Sequence, residues 1–127
     1  GPTQQEWEYG HRANSSSAYW WGEKAKSGSA NCRRGCDSEW SKLFSSSTAP
    51  VASYPANPYG LYDTAGNVAE WLADCAEMNN STERCLQGLT AGGSHESSLK
   101  YLQSHMRKKT DATVRSEAIG FRLLLEL

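Results

Sequence analysis

Residues 57–72 read NPYGLYDTAGNVAEWL and join two turn signals to the start of a strand. Proline and glycine near the beginning favour one turn, and Gly66-Asn67 favours a second. The apolar side chains that follow predict a strand that directs Val68 and Trp71 inward. The stretch therefore predicts a turn-rich loop that leads directly into a strand of the core.

The composition indicates a loop-rich globular domain. The chain has 127 residues, the usual size of one domain, and only 38% of them are hydrophobic, with seventeen serines and eleven glycines. Five tryptophans and six tyrosines against two phenylalanines predict a core built from aromatic side chains that carry a polar group. A net charge of −1 argues against a broad basic face for nucleic acid or a membrane surface. No apolar run approaches the roughly 20 residues that span a bilayer, so membrane insertion is not expected.

Local patterns predict one helix and several short strands. Thr3 and Glu6 form a T-x-x-E capping box, which predicts a helix over residues 4–13. Residues 23–47 show neither helical nor strand periodicity and predict a long ordered loop, pinned by Trp40, Leu43 and the first cysteine pair, of a kind that often binds an ion or another ligand. The remaining predictions are an edge strand over 48–54, a strand and glycine turn over 86–93, a strand or irregular segment over 100–107, and a central strand over 119–127.

Four cysteines occur in two local pairs, Cys32-x3-Cys36 and Cys75-x9-Cys85. Two local disulfides are the simplest interpretation, because the second spacing lacks the tight knuckle of structural zinc sites. Free thiols and a metal site stay open as alternatives. Disulfides predict a periplasmic or secreted protein.

Several motifs run through the chain in a fixed order. They are Pro2-Thr3-x-x-Glu6-Trp7-Glu8-Tyr9, Tyr19-Trp20-Trp21-Gly22, Asn31, Thr48-Ala49-Pro50-Val51, Asn57-Pro58-Tyr59-Gly60-Leu61-Tyr62-Asp63, Gly66-Asn67-Val68-x-Glu70-Trp71, Gly92-Gly93-Ser94 and Gly120-Phe121-Arg122. In this order and spacing they resemble the formylglycine-generating enzyme (sulfatase-modifying factor) family of bacterial and other proteins. The resemblance implies an irregular, loop-rich α+β fold of the C-type-lectin-like kind, with short antiparallel strands and one or two helices.

The resemblance covers only the C-terminal part of the family's domain. It implies that residues 1–127 form one domain without the family's N-terminal portion, whose first strand pairs with the last strand. An unpaired strand over 119–127 would expose its backbone N–H and C=O groups at a sheet edge. We therefore expect a homodimer or a protein partner at this edge, or N-terminal residues rearranged to cover it.

The resemblance also implies where a copper site would lie. Catalytic members bind copper(I) through two cysteines that follow Gly92-Gly93-Ser94, and these positions fall on Ser97 and Leu102. Neither side chain offers a soft thiolate, so no copper and no catalytic residue are expected. His11, His95 and His105 are too scattered in the sequence to replace the histidine cluster of the family's iron-dependent branch.

Calcium is the metal that the resemblance favours. The implied ligands are the Asp63 and Glu70 carboxylates and the Gly66 and Val68 carbonyls, all hard oxygen donors. The alternative is that the two carboxylates only cap backbone N–H groups of a tight turn. A second family site, which would begin at Asn31, is not expected because its downstream ligands are absent.

These observations predict a non-catalytic binding or regulatory module that presents residues 92–118 to a ligand or partner. The predicted binding residues are His95, Glu96, Ser98, Lys100, Tyr101, Gln103, His105 and Arg107. The alternative is an oxidoreductase of the formylglycine-generating type with an altered site, for example with Cys32 and Cys36 as a redox pair. Residues 107–109 are expected to form a solvated basic loop, and Arg122 is expected to pair with a carboxylate.

Overall fold

The computed structural model describes residues 1–124 and contains two small sheets, one α-helix and one 3-10 helix over that range. The elements in chain order are α1 (Gln4–Arg12), β1 (Ser41–Lys42), β2 (Ser45–Ser46), β3 (Ala69–Asn79), β4 (Arg84–Ala91), a 3-10 helix (Leu99–Leu102), β5 (Arg107–Asp111) and β6 (Ile119–Gly120). Between them the chain runs through turns and irregular loops. This is the loop-rich α+β architecture that the sequence predicts.

The helix α1 forms where its capping box predicts it. The Thr3 hydroxyl accepts from the Glu6 N–H at 3.3 Å, and the Glu6 carboxylate accepts from the Thr3 N–H at 2.9 Å. The helix ends at Arg12 because Ala13 adopts a left-handed conformation with φ 49°. Two buried side chains, Trp7 and His11, lie on the face of α1 that packs toward the sheet.

The larger sheet has the strand order β5-β4-β3-β6. β3, β4 and β5 are antiparallel, whereas β6 runs parallel to β3 through the pairs Ala69–Ile119 and Glu70–Gly120. The Trp71 ring lies across β4 at Gly88, where an added Cβ would come within 2.8 Å of the ring. β3 therefore begins at Ala69, within the 57–72 stretch, as predicted, although Ala69 and Leu72 are buried while Val68 and Trp71 are half-buried.

Several predicted elements differ from the structure. Residues 48–54 form turns and not an edge strand, since Pro50 cannot donate and Ala52 has φ 65°. The basic run 107–109 is not a loop but part of β5, which pairs with β4 over five residues. The predicted central strand over 119–127 is a two-residue strand at the sheet edge; residues 121–124 are not strand, and 125–127 lie outside the described residues.

The core is divided into two clusters. One, on the loop side, is formed by Tyr19, Ala30, Cys32, Cys36, Ala65 and Leu102. The other, between α1 and the sheet, is formed by Trp7, Leu72 and Ala91. Tryptophan and tyrosine supply the buried aromatic rings, whereas Phe44 is 95% exposed, as the composition predicts.

Both predicted disulfides form. Cys32 bonds to Cys36 and Cys75 bonds to Cys85, and the second pair cross-links β3 to β4. Disulfides of this kind indicate a compartment outside the cytoplasm. No helix among residues 1–124 has the length and apolar character needed to cross a bilayer.

Candidate functional site

The asparagines of the sequence motifs hold the loops together. Buried Asn31 donates to the Ser47 carbonyl at 2.9 Å and accepts from the Ser38 hydroxyl at 2.7 Å. Asn57 donates to the Gly10 and His11 carbonyls at the end of α1, which satisfies carbonyls that the helix leaves free. Asn31 and the predicted Cys32–Cys36 disulfide therefore pin the 23–47 segment, which is a loop apart from the short strands β1 and β2. Leu43, another of the predicted anchors, is exposed.

The candidate binding face follows the two glycines after β4. Gly93 has φ 69°, and an added Cβ there would lie 2.6 Å from Leu102 Cδ1, so the chain turns sharply against the 3-10 helix. A cavity of about 170 Å³ lies beside this turn. Its wall includes Glu96, Ser97, Ser98, Tyr101, Arg107 and Lys108.

The two residues at the positions implied for copper, Ser97 and Leu102, have structural roles. The Ser97 hydroxyl accepts from the Ser94 N–H at 2.9 Å and thereby stabilises the turn. Leu102 is 0% exposed and belongs to the loop-side core. A hydroxyl and a methyl group do not bind copper(I), and all four cysteines are bonded in disulfides elsewhere, so these residues do not fit a copper site.

The eight predicted binding residues are not all at the surface. Four side chains are exposed and three are half-buried, whereas His95 is completely buried. The exposed ones are Glu96, Lys100, Tyr101 and His105, and the half-buried ones are Ser98, Gln103 and Arg107. The Lys100 ammonium lies 5.1 Å from the centre of the Tyr101 ring, so these two side chains form one cationic and aromatic surface.

Arg107 faces α1 rather than solvent. Its guanidinium bonds to Glu8 at 2.6 Å and lies 5.3 Å from the Trp7 ring centre, while Arg12 bonds to the same carboxylate at 2.8 Å. Burial raises the pKa of Glu8, but the hydrogen bonds from the two arginines outweigh it and hold the pKa below its ordinary value. Sequence reasoning missed this cluster, although Glu8 and Arg12 stand at helical i,i+4 spacing.

Arg122 makes the ion pair that the sequence predicts. Its guanidinium bonds to both oxygens of buried Glu70 at 3.0–3.2 Å and to the Tyr62 carbonyl at 2.7 Å. Glu70 also accepts from the Trp7 indole N–H at 2.8 Å. The carboxylate is therefore neutralised and fully hydrogen-bonded by two side chains, one of which, Trp7, the sequence did not place there.

This ion pair decides how well the predicted calcium ligands fit. Asp63, Val68 and Glu70 line one cavity of about 420 Å³, but Gly66 is not part of its wall. The Asp63 carboxylate accepts from the Ala52 N–H at 3.0 Å, and the Glu70 carboxylate forms an ion pair with Arg122. As arranged, the four residues do not form a calcium site, because a guanidinium stands where the cation needs Glu70.

Two buried histidines have one ring nitrogen each without a partner. His11 Nδ1 donates to the Thr64 carbonyl at 3.1 Å, and its ring stacks on Trp7 with centroids 4.5 Å apart. Burial lowers the pKa of His11 to about 4, so its imidazole is neutral at neutral pH. His95 Nδ1 lies 3.1 Å from the Ser46 hydroxyl, and in both residues Nε2 is buried without a hydrogen bond.

Comparison with known proteins identifies similar chains. Inactive C-alpha-formylglycine-generating enzyme 2 of Bos taurus is 32% identical over 129 residues, which cover 95% of this chain and 42% of that protein. Serine/threonine-protein kinase pkn1 of Chlamydia caviae is 60% identical over 43 residues, which cover 34% of this chain and 7% of the kinase. The solved structure of PvdO from Pseudomonas aeruginosa matches with a TM-score of 0.75 and 27% identity, covering 94% of this chain and 49% of that one.

The chain spans about half or less of the length of these relatives. The structural match to PvdO confirms the predicted loop-rich α+β fold. A family model described as the sulfatase-modifying factor enzyme 1-like domain matches residues 2–127. The chain therefore belongs to the sulfatase-modifying factor enzyme 1-like family.

Proposed function

We propose that the chain is a non-catalytic binding module that uses the scaffold of a formylglycine-generating enzyme to hold a protein partner. The observation that carries this proposal is the pair Ser97 and Leu102 at the positions of the copper-binding cysteines. Ser97 is engaged in its own turn and Leu102 is buried in the core. A relative that matches 95% of this chain over 42% of its own length carries the word inactive in its name, which agrees with a scaffold that has lost this chemistry.

The alternative, an oxidoreductase with another cysteine pair, has less support. The Cys32–Cys36 disulfide is buried in the loop-side cluster with Leu102 and Tyr19. Thiol exchange requires that an attacking thiolate reaches a sulfur atom, and burial denies it access. This disulfide therefore has a structural role in the core. Its presence supports a location in the periplasm or outside the cell.

The surface offered to the partner is narrower than the whole 92–118 segment. It consists of the exposed side chains that line the cavity, Glu96, Tyr101 and Lys108, together with Lys100, which lies beside the Tyr101 ring. The Tyr101 ring, flanked by charges of both signs, suits a polar segment of a protein partner that also carries one apolar side chain. Tyrosine offers both a large contact area and a hydrogen-bonding group. Arg107 supports this surface from behind through Glu8.

Copper(I) binding tests the non-catalytic half of the proposal. We expect the disulfide-intact protein to bind no copper(I) against a competing chelator and to form no aldehyde on a cysteine-containing sulfatase peptide. The S97C/L102C variant restores two thiols at these positions and is expected to gain copper(I) binding. Formylglycine production by the unmodified chain would overturn the proposal.

Selection of displayed random peptides tests the binding half. Peptides that bind the chain are expected to lose affinity for Y101A and E96Q, because these changes remove the aromatic anchor and one rim charge. E83Q, on the exposed β3–β4 turn, is the matched control and should bind them unchanged. Peptides that bind Y101A, E96Q and E83Q equally would place the binding surface elsewhere.

A further inference from the structure

We infer that His95, Glu96 and Glu117 form a binding site for a divalent transition metal ion such as Zn²⁺. One ring nitrogen of His95 and one carboxylate oxygen from each glutamate lie within 4.8 Å of one another. His95 and Glu96 belong to the turn after β4, and Glu117 lies two residues before β6, so the fold brings together donors that are distant in the sequence. This site uses none of the residues at the implied copper positions and none of the implied calcium ligands, although Glu96 and Ser97 line the same cavity.

The buried histidine is the observation that points to a ligand. His95 is 0% exposed, and its Nε2 atom has no hydrogen-bond partner. Burying a polar atom without a partner is unfavourable, and native structures usually supply one. A metal ion held between this nitrogen and the two carboxylates would supply the partner that the protein itself does not.

The contact on the opposite side of the ring suits a metal ligand. His95 Nδ1 lies 3.1 Å from the Ser46 hydroxyl. The tautomer with hydrogen on Nδ1 donates to Ser46 and leaves the Nε2 lone pair free. Histidines that bind metals are commonly oriented in this way, with the second N–H held by an oxygen.

The charge around the site favours a cation. Glu96 and Glu117 contribute two negative charges, and the Arg33 guanidinium bonds to Ser46 at 3.0 Å rather than to either glutamate. Metal–nitrogen and metal–oxygen bonds of about 2 Å require donor atoms roughly 3.3 Å apart. Both glutamates are exposed and can close this gap by side-chain rotation.

The donor set determines the class of metal. One imidazole with two carboxylates suits Zn²⁺, Mn²⁺ or Fe²⁺ better than copper(I), which prefers thiolates. Three protein ligands leave one position of a tetrahedral ion open, for water or for a donor group of a partner. The site borders the proposed binding surface through Glu96, but its existence does not depend on the proposed function.

Calorimetric titration of the metal-free, disulfide-intact protein with Zn²⁺ tests the inference. We expect one bound ion per chain, and we expect E96Q/E117Q to weaken binding by at least about tenfold. The control E77Q/E83Q removes the same two charges from exposed positions of the β3–β4 hairpin and should bind zinc like the unmodified chain. No binding at millimolar zinc, or equal binding by E96Q/E117Q, would overturn the inference.

Nitrogen NMR of the imidazole rings provides a second readout that needs no change to buried His95. The Nε2 signal of His95 should shift on addition of one equivalent of Zn²⁺, while the signals of His11 stay in place. H105Q removes the exposed histidine and should leave the shift unchanged. An unmoved His95 signal with zinc bound would assign the ion to another site.

Discussion

His11 and His95 make a close comparison because their own contacts are nearly the same. Both are almost completely buried, both hold Nδ1 at 3.1 Å from an oxygen, and both leave Nε2 without a partner. Their surroundings differ. The ring of His11 stacks on Trp7 and shares a cavity wall with Leu61 and Arg122, whereas His95 lies beside two acidic side chains.

The difference teaches that the neighbours of a buried imidazole, rather than its own hydrogen bond, decide what it does. Burial lowers the pKa of His11 to about 4 and outweighs the Thr64 carbonyl and the Glu8 carboxylate, which favour the charged imidazole. Around His95 two carboxylates lie within 4.8 Å of a ring nitrogen. We therefore assign His11 to the core and His95 to a ligand.

The largest effect on stability is expected from removing Arg122, which lines the same cavity as His11. Arg122→Ala leaves the Glu70 carboxylate buried beside Trp7 without its guanidinium, and we expect a loss of about 3 kcal/mol in the free energy of unfolding. Urea denaturation measures it. The exposed Arg115→Ala is the control, with an expected change below about 0.5 kcal/mol. Equal stability of the two variants would show that the ion pair contributes nothing.

The next largest effect is the pH dependence of the unfolding free energy, which tests whether His11 is a neutral core residue. Because its pKa is about 4 in the folded chain and near 6.5 when unfolded, the unfolded state binds more protons between these values. Its contribution to stability is full above pH 6.5 and is lost as the pH falls toward 4. We expect the unfolding free energy to drop by roughly 2 kcal/mol from pH 7 to pH 5.

Urea denaturation at several pH values checks this dependence. His11→Gln should remove most of the drop, because glutamine does not titrate. His105→Gln should retain it, because His105 is exposed. The same drop in both variants would mean that other groups titrate in this range.

A smaller effect separates the two histidines directly. If zinc binds at His95, a free zinc concentration roughly tenfold above the dissociation constant stabilises the fold by about 1.4 kcal/mol. His11→Gln should gain the same amount, while E96Q/E117Q should gain nothing. Thermal unfolding with and without zinc measures the difference. If His11→Gln abolished the stabilisation by zinc, His11 rather than His95 would be the zinc ligand.

The smallest effect concerns calcium. Since Glu70 is already paired with Arg122, calcium added to the metal-free protein should raise the melting temperature by less than about 1 °C. Differential scanning calorimetry provides the measurement. Stabilisation by several degrees would show that Asp63 and Glu70 do bind the ion and that Arg122 moves aside.

Features that depend on neighbours in the sequence were predictable. The capping box of α1, both local disulfides and the glycine turn after β4 each rely on a few adjacent residues. The carboxylate partner of Arg122 was predictable in kind but not in identity. Family resemblance supplied the fold, which composition alone narrows only to a loop-rich class.

Features that depend on distant contacts were not predictable. Arg107 reaches Glu8 across 99 positions, and the basic residues after it pair with β4 although their side chains carry no apolar alternation. The segment from Ile119 looks like a central strand because it is apolar, yet it meets β3 through only two pairs. His95 and Glu117 form a cluster only because the 3-10 helix and β5 return the chain to the same place.

Leu102 has a consequence for how the family scaffold can change. Its side chain fills the space beside Gly93, and a smaller group there would leave a void in the loop-side core, at a cost of about 2–5 kcal/mol for truncation to alanine. Lys100 and Tyr101, its neighbours, project outward and have no such constraint. The fold therefore tolerates changes at the two outward positions, whereas a cysteine at position 102 would cost the domain stability.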